Sequence, residues 1–283
     1  MSSRYPTAAE LAVLVALKEY HYLTVDQVML VTGRTSLRAT QQRLKDLADA
    51  GLVAKHHRRS SNVLKPLRAA WSLTGKSKAY LEEADMVVLP PRRPKPYTLD
   101  HTLTINDVLI LSRVLERTFR TNIRIRETYH ERELRAWGPP LAVVPDGFIY
   151  FVVTADDGWH SFPVLLEIDM GTMDRRRWME KVSRYVSFFN RGLPEAFHTD
   201  VATVAVVVND AEKRVDDLRR WTEQQLTRQK AADCGELFYF AQLREGITAA
   251  DFFLMPRFQV AFAKETEALL ICTLSQADYS SSS

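Results

Sequence analysis

Apolar and polar positions follow several different periods along this chain, and the places where the period changes mark its elements. Leu11, Leu14, Val15 and Leu17 recur at helical spacing, which predicts a helix over about residues 8–20. Thr7 with Glu10, and Thr24 with Gln27, fit the pattern in which a hydroxyl and a carboxylate or amide cap a helix start reciprocally. A second, short helix is therefore expected over 25–31, closed by Gly33. A third runs from about Thr35 to Ala50, with Leu37, Leu44, Leu47 and Ala48 facing inward and Gly51 as its stop. Three short helices with tight turns make a helix-turn-helix. "LVAKHH" and "LRAAWSLT" then read as two strands around the basic tip "RRSSNVLKP", and "SLTGKSKAYLEE" as a strand running into a helix. The expectation for residues 1–86 is a winged helix-turn-helix.

The proline-rich "VVLPPRRPKPYT" predicts an extended, stiff linker over residues 87–97. Beyond it the pattern reads as a long helix, the alternating strand "IRIRETY", the short helix "ERELRAW", and the strands "LAVVPDGFIYFVV" and "FPVLLEID" joined by the turn "ADDG". A helix over 172–190, the buried strand "VATVAVVVN", a polar helix and the strand "ELFYFAQL" complete the order. That order predicts a second domain over 98–278, a mixed sheet flanked by helices, and so an α/β (α+β) fold class. The serine-rich end, 279–283, is expected to fray.

Composition narrows the class without changing this outline. With 46% hydrophobic and 26% charged residues, the chain is neither a disordered nor a fibrous type. No apolar run approaches the roughly 18 residues of a membrane span, and the N-terminus lacks the basic-then-apolar layout of a signal peptide. Cys234 and Cys272 are too few for a disulfide framework or a thiolate zinc site, so a cytoplasmic protein is expected. Charge adds more. Residues 1–85 carry 13 basic and 8 acidic side chains, the remainder 25 and 27, and 34–68 alone holds 9 basic against 2 acidic. A basic cluster in one small module is the footprint of nucleic-acid contact. On the third helix Arg38, Gln42 and Lys45 face outward with Arg43 on the flank, and His56, His57, Arg58, Arg59 and Lys65 line the wing. Arg pairs with guanine and Gln with adenine in a major groove, while Lys and Arg neutralise phosphates, so double-stranded DNA is the expected partner.

The second domain carries a set of carboxylates. Asp146 follows Pro145 at the start of one strand, and Glu167 and Asp169 end the next. Strand side chains alternate faces, so Glu167 and Asp169 point the same way, and a hairpin would bring Asp146 beside them. Three oxygen ligands of this kind suit Mg²⁺ or Mn²⁺. The alternative is structural: Asp146 caps a turn, and Asp169 with Gly171 and Thr172 caps the following helix. No glycine-rich phosphate loop, serine elbow, H-E-x-x-H or Cys/His zinc spacing is present.

"VVPDGFIYF", "VLLEIDMGT" and a helix containing "KVSRYVSFF", together with "WSLT" and "DHTLTINDV", resemble the replication-relaxation family of bacterial and plasmid proteins. That resemblance implies an N-terminal winged helix followed by a domain resembling the PD-(D/E)XK nucleases, a restriction-endonuclease-like fold. Carried over by position, the nuclease motif places its acids at Asp146 and Glu167 and its lysine at 169, where this chain has Asp169. Some nucleases of that superfamily take the lysine from the following helix, which points to Lys181. The reading this favours is a DNA-binding accessory protein of a plasmid or mobile element. Its nuclease-like domain is degenerate, serves binding, assembly or homodimerisation, needs no cofactor, and works beside a relaxase, replication or transposition protein. The alternatives are a Mg²⁺- or Mn²⁺-dependent endonuclease using Asp146, Glu167, Asp169 and Lys181, and a winged-helix transcriptional regulator.

Overall fold

A computed structural model describes residues 5–57, 69–83, 86–89, 96–137, 141, 143–155, 157–197, 199, 201–209 and 212–270. The wing tip with Arg58, Arg59 and Lys65, the middle of the proline-rich linker, Cys272 and the serine tail lie outside them. Two compact units divide the chain at Ile110 and Leu111, inside one helix.

The first unit contains α1 (Ala8–Tyr20), β1 (Leu23–Thr24), α2 (Val25–Thr32), α3 (Leu37–Asp49), β2 (Val53–His56), β3 (Ala70–Leu73), α4 (Gly75–Glu82) and the start of α5 (Pro96–Thr118). Both predicted capping boxes form: Thr7 and Glu10 open α1, Thr24 and Gln27 open α2. Gly33 ends α2 at φ 64, a left-handed conformation that costs glycine nothing and most other residues about 1 kcal/mol. The three strands form an antiparallel sheet in the order β1-β3-β2. Leu44 and Leu47 face the core as expected, but Leu37 is 37% exposed. It sits in the first turn after the Ser36 cap, and Thr40, fully buried, takes the inward place one turn later.

The start of α5 packs on the α1–α2 corner through buried polar groups, an arrangement that no local pattern signals. Asn106, fully buried, donates from Nδ2 to the carbonyls of Tyr20 at 3.1 Å and Tyr22 at 2.5 Å. Gln27 Nε2 donates to the Leu103 carbonyl at 2.8 Å and to Asp107 Oδ1 at 2.7 Å. The corner's carbonyls are thus satisfied by a side chain more than 80 residues away, as buried polar groups require.

The second unit contains β4 (Ile123–His130), α6 (Glu131–Trp137), β5 (Gly147–Ala155), β6 (Gly158–Asp169), α7 (Arg175–Arg191), α8 (Leu193–Phe197), β7 (Thr203–Asn209), α9 (Glu212–Gln229), a 3₁₀ turn (Ala232–Leu237), β8 (Phe238–Leu243), α10 (Ala249–Phe253), β9 (Phe258–Val260) and β10 (Thr266–Glu267). Its seven strands run in the order β10-β9-β8-β7-β6-β5-β4. β4, β5 and β6 are antiparallel neighbours, β6, β7 and β8 are parallel, and β9 closes antiparallel on β8. β7 reads "TVAVVVN" without alternation because a central parallel strand is covered on both faces. One face packs under α7, α8 and α9, with Trp178, Val182, Tyr185 and Leu218 against Phe148, Leu165 and Val206. Burying a side chain of that size contributes about 1.5–3 kcal/mol. The sheet is the mixed α/β arrangement the sequence predicts, but residues 249–267 add α10, β9 and β10, too short and too polar to read from a period.

Candidate functional site

In the first unit the outward face of α3 carries Arg38, Gln42 and Lys45, all exposed, with Arg43 half-buried beside them. Gln42 Nε2 donates to Asp46 Oδ1 at 2.8 Å, which orients the amide along the helix. His56 is turned into the module. Its Nε2 lies 2.8 Å from Ser72 Oγ, and its ring meets Tyr22 edge-on at 5.5 Å. Burial lowers its pKa, which favours a neutral ring. His57 is exposed, next to the undescribed tip.

The second unit brings Asp146, Glu167, Lys181 and Tyr185 together at the carboxyl end of β6. The β5–β6 hairpin pairs Gly147 with Leu166, so Asp146 stands across from Glu167. Its backbone is fixed on both sides: its N–H donates to the Leu166 carbonyl, and its carbonyl accepts from the Glu131 N–H at the start of α6, each at 2.9 Å. Its carboxylate Oδ2 accepts from the Ile168 N–H at 2.8 Å. Glu167, 2% exposed, has both oxygens engaged by α7: Lys181 Nζ donates to Oε2 and the Tyr185 hydroxyl to Oε1. Lys181 and Tyr185 are one helical turn apart and therefore share a face. Lys181 thus reaches back from α7 to the end of β6, and Tyr185, fully buried on the same helix, shares Glu167 with it.

Burial is the main force on these groups. It pushes the Glu167 carboxyl up, the Asp146 charge adds to that, and Lys181 and Tyr185 offset part, leaving a pKa of about 7. Burial opposes the charge on Lys181, but Glu167 and Asp146 outweigh it and its pKa ends raised. The Tyr185 phenol is held well above its ordinary range by burial and by Glu167, so it stays a donor. The trio can keep or release one proton near neutrality.

Asp169 is held apart from that trio. Its two oxygens take a bidentate pair from Arg214 on α9, at 2.7 Å from Nε and 3.2 Å from Nη2. The same guanidinium donates to the Met173 carbonyl and lies 4.9 Å over the Trp221 ring. Asp169 Oδ2 also accepts from the Gly171 N–H at 3.1 Å, which closes the turn after β6. It does not cap α7; Asp174 does, accepting from the Arg177 N–H at 2.9 Å, so the helix starts at Arg175 rather than Thr172. Nothing in the sequence pairs Asp169 with Arg214, 45 positions on in the first turn of a polar helix.

Among the described residues no group of three or more His, Cys, Asp or Glu side chains is placed to hold a metal ion. Glu167 already spends its oxygens on an ammonium and a phenol, and Asp169 on a guanidinium.

Comparison with known proteins gives a family and a partial structural likeness. The sequence model of the replication-relaxation family matches residues 14–203. Among solved structures, one of Bordetella bronchiseptica BpsR, from work on regulation of its DNA binding by 6-hydroxynicotinic acid, is 21% identical, covering 30% of this chain and 61% of that one, with a TM-score of 0.26. No curated protein matches.

Proposed function

This chain belongs to the replication-relaxation family, and from that premise we propose that it is a DNA-binding accessory protein of a plasmid or other mobile element. It grips duplex DNA through α3 and uses its second unit for binding or assembly rather than strand cleavage. The observation that carries the reading is the face of α3. Arg38, Gln42 and Lys45 project outward while Thr40, Leu44 and Leu47 anchor the opposite side, behind a two-helix turn closed by left-handed Gly33. The element order around that helix, with β2 and β3 antiparallel beyond it, supports a winged module. Fluorescence anisotropy on a labelled duplex tests it. Arg38→Ala with Lys45→Ala is expected to weaken affinity at every sequence offered. It should also flatten the slope of log Kd against log salt by about 2, one for each phosphate no longer neutralised. Unchanged affinity and slope would exclude α3 as the DNA-gripping helix.

A second reading, a Mg²⁺- or Mn²⁺-dependent endonuclease, is favoured by one observation: Lys181 reaches Glu167 from the following helix, with Asp146 close by. The engaged oxygens of Glu167 and the Arg214 lock on Asp169 weigh against it. Supercoiled plasmid incubated with each metal decides between them. Nicking that is lost in Glu167→Ala would establish the enzyme, and intact plasmid under both metals would support the binding role.

A further inference from the structure

A cavity of about 690 Å³ opens in the second unit at the amino ends of β7 and β8. Phe162 of β6 lines it, five positions before Glu167 and so about 16 Å along the strand from the carboxylate site. The ionisable groups that line it are acidic. Tyr239 donates its hydroxyl to Glu267 Oε2 at 3.0 Å, and Glu236 stands close enough to act on the same phenol. Burial first, and the two glutamates after it, raise the phenol's pKa, so the hydroxyl remains a donor. Among the described residues, no Lys, Arg or His forms an ion pair with either glutamate.

The rim is held in a costly conformation. Phe262 has φ 66, a left-handed angle that a bulky side chain rarely adopts, and is 46% exposed. Two contacts hold it there. Its N–H donates to Glu223 Oε1 at 2.9 Å, and its ring lies over Gly235, where an added Cβ would come within 2.6 Å of it. An exposed aromatic fixed at the mouth of a cavity with two carboxylates is a recognition surface for positive charge on an apolar stem.

We propose that this cavity binds an organic cation, a guanidinium or primary ammonium on an aliphatic stem, with Glu236 and Glu267 pairing the charge and Phe162 and Phe262 covering the stem. The ligand is either a free amine or an Arg or Lys side chain of a partner protein. Calorimetric titration of the full chain tests this with agmatine for the free amine, acetyl-arginine amide for the side chain, and acetyl-citrulline amide as the uncharged match. At least one of the two cations is expected to bind and the citrulline compound is not; the tighter cation identifies the source. Glu236→Gln with Glu267→Gln is expected to lower affinity about tenfold or more, the upper range for two partly solvated ion pairs. Phe262→Ala should lower it severalfold, and Glu180→Gln, exposed on α7 outside the cavity, should leave it unchanged. The proposal is overturned if neither cation binds at low millimolar concentration. It is equally overturned if citrulline binds as well as arginine, or if the double variant, folded by circular dichroism, binds like the parent. None of these outcomes bears on DNA binding through α3.

Discussion

Replacing Glu167 by Gln gives the sharpest test of the carboxylate site, because it removes a titration and keeps the shape. The carboxyl's ordinary pKa is 4.5 and burial raises it to about 7 in the folded chain. A folded pKa above the unfolded one means that the fold holds the proton. The stability that this gives is complete below pH 4.5, falls as pH rises through about 7, and is gone above it. The interval corresponds to about 3 kcal/mol, at 1.36 kcal/mol per pH unit. Lys181 is also raised, but its contribution is lost only above its ordinary 10.5, so it is constant between pH 5 and 8. Thermal unfolding of the parent and of Glu167→Gln at pH 5 and pH 8 reads the difference. Any constant cost of the amide cancels between the two pH values. The parent should lose about 2–3 kcal/mol relative to the variant on going from pH 5 to pH 8, since the unfolded carboxyl is already mostly ionised at pH 5, or about 4–12 °C in Tm for a unit of this size. A parent-to-variant gap that is the same at both pH values, or that moves the other way, would refute the assignment of a raised pKa.

Arg214→Met strands Asp169, which is 4% exposed; urea unfolding is expected to show a loss of about 3–5 kcal/mol, and Arg214→Lys should recover little of it because an ammonium cannot form the bidentate pair. Asn106→Leu removes the donors to the Tyr20 and Tyr22 carbonyls and should cost the first unit about 1–3 kcal/mol, read as faster amide exchange in α1 and α2. Trp178→Phe deletes the indole N–H that donates to Thr222 Oγ1 at 2.9 Å. A loss of about 1–2 kcal/mol in urea unfolding is expected, against about 3–5 for Trp178→Ala, which also empties the volume between α7 and the sheet.

Much of the secondary structure was legible because it rests on local rules. Thr7, Thr24 and Gly33 act within a few residues, so their caps and stops could be read directly. The same holds for the β5–β6 hairpin, set by two apolar runs around a turn. Local rules failed where the neighbour is remote or the segment short. Leu37 scores as apolar and helical but lies a turn short of the packed face, and the start of α7 moved three residues because Asp174 out-competes Thr172 as its cap. β9, of three residues, pairs with the edge of β8, and β10, of two, pairs in turn with β9.

The carboxylate site divides along the same line. The sequence by itself placed Asp146, Glu167 and Asp169 at adjoining strand ends, because strand alternation and hairpin pairing are short-range geometry, while Lys181 was implied by the family resemblance. Which side chains meet these carboxylates is not short-range. Tertiary packing brings Tyr185 and Lys181 down on Glu167 and Arg214 across to Asp169. Both carboxylates are nearly dry, and a charge taken out of water has to find a partner wherever the fold supplies one.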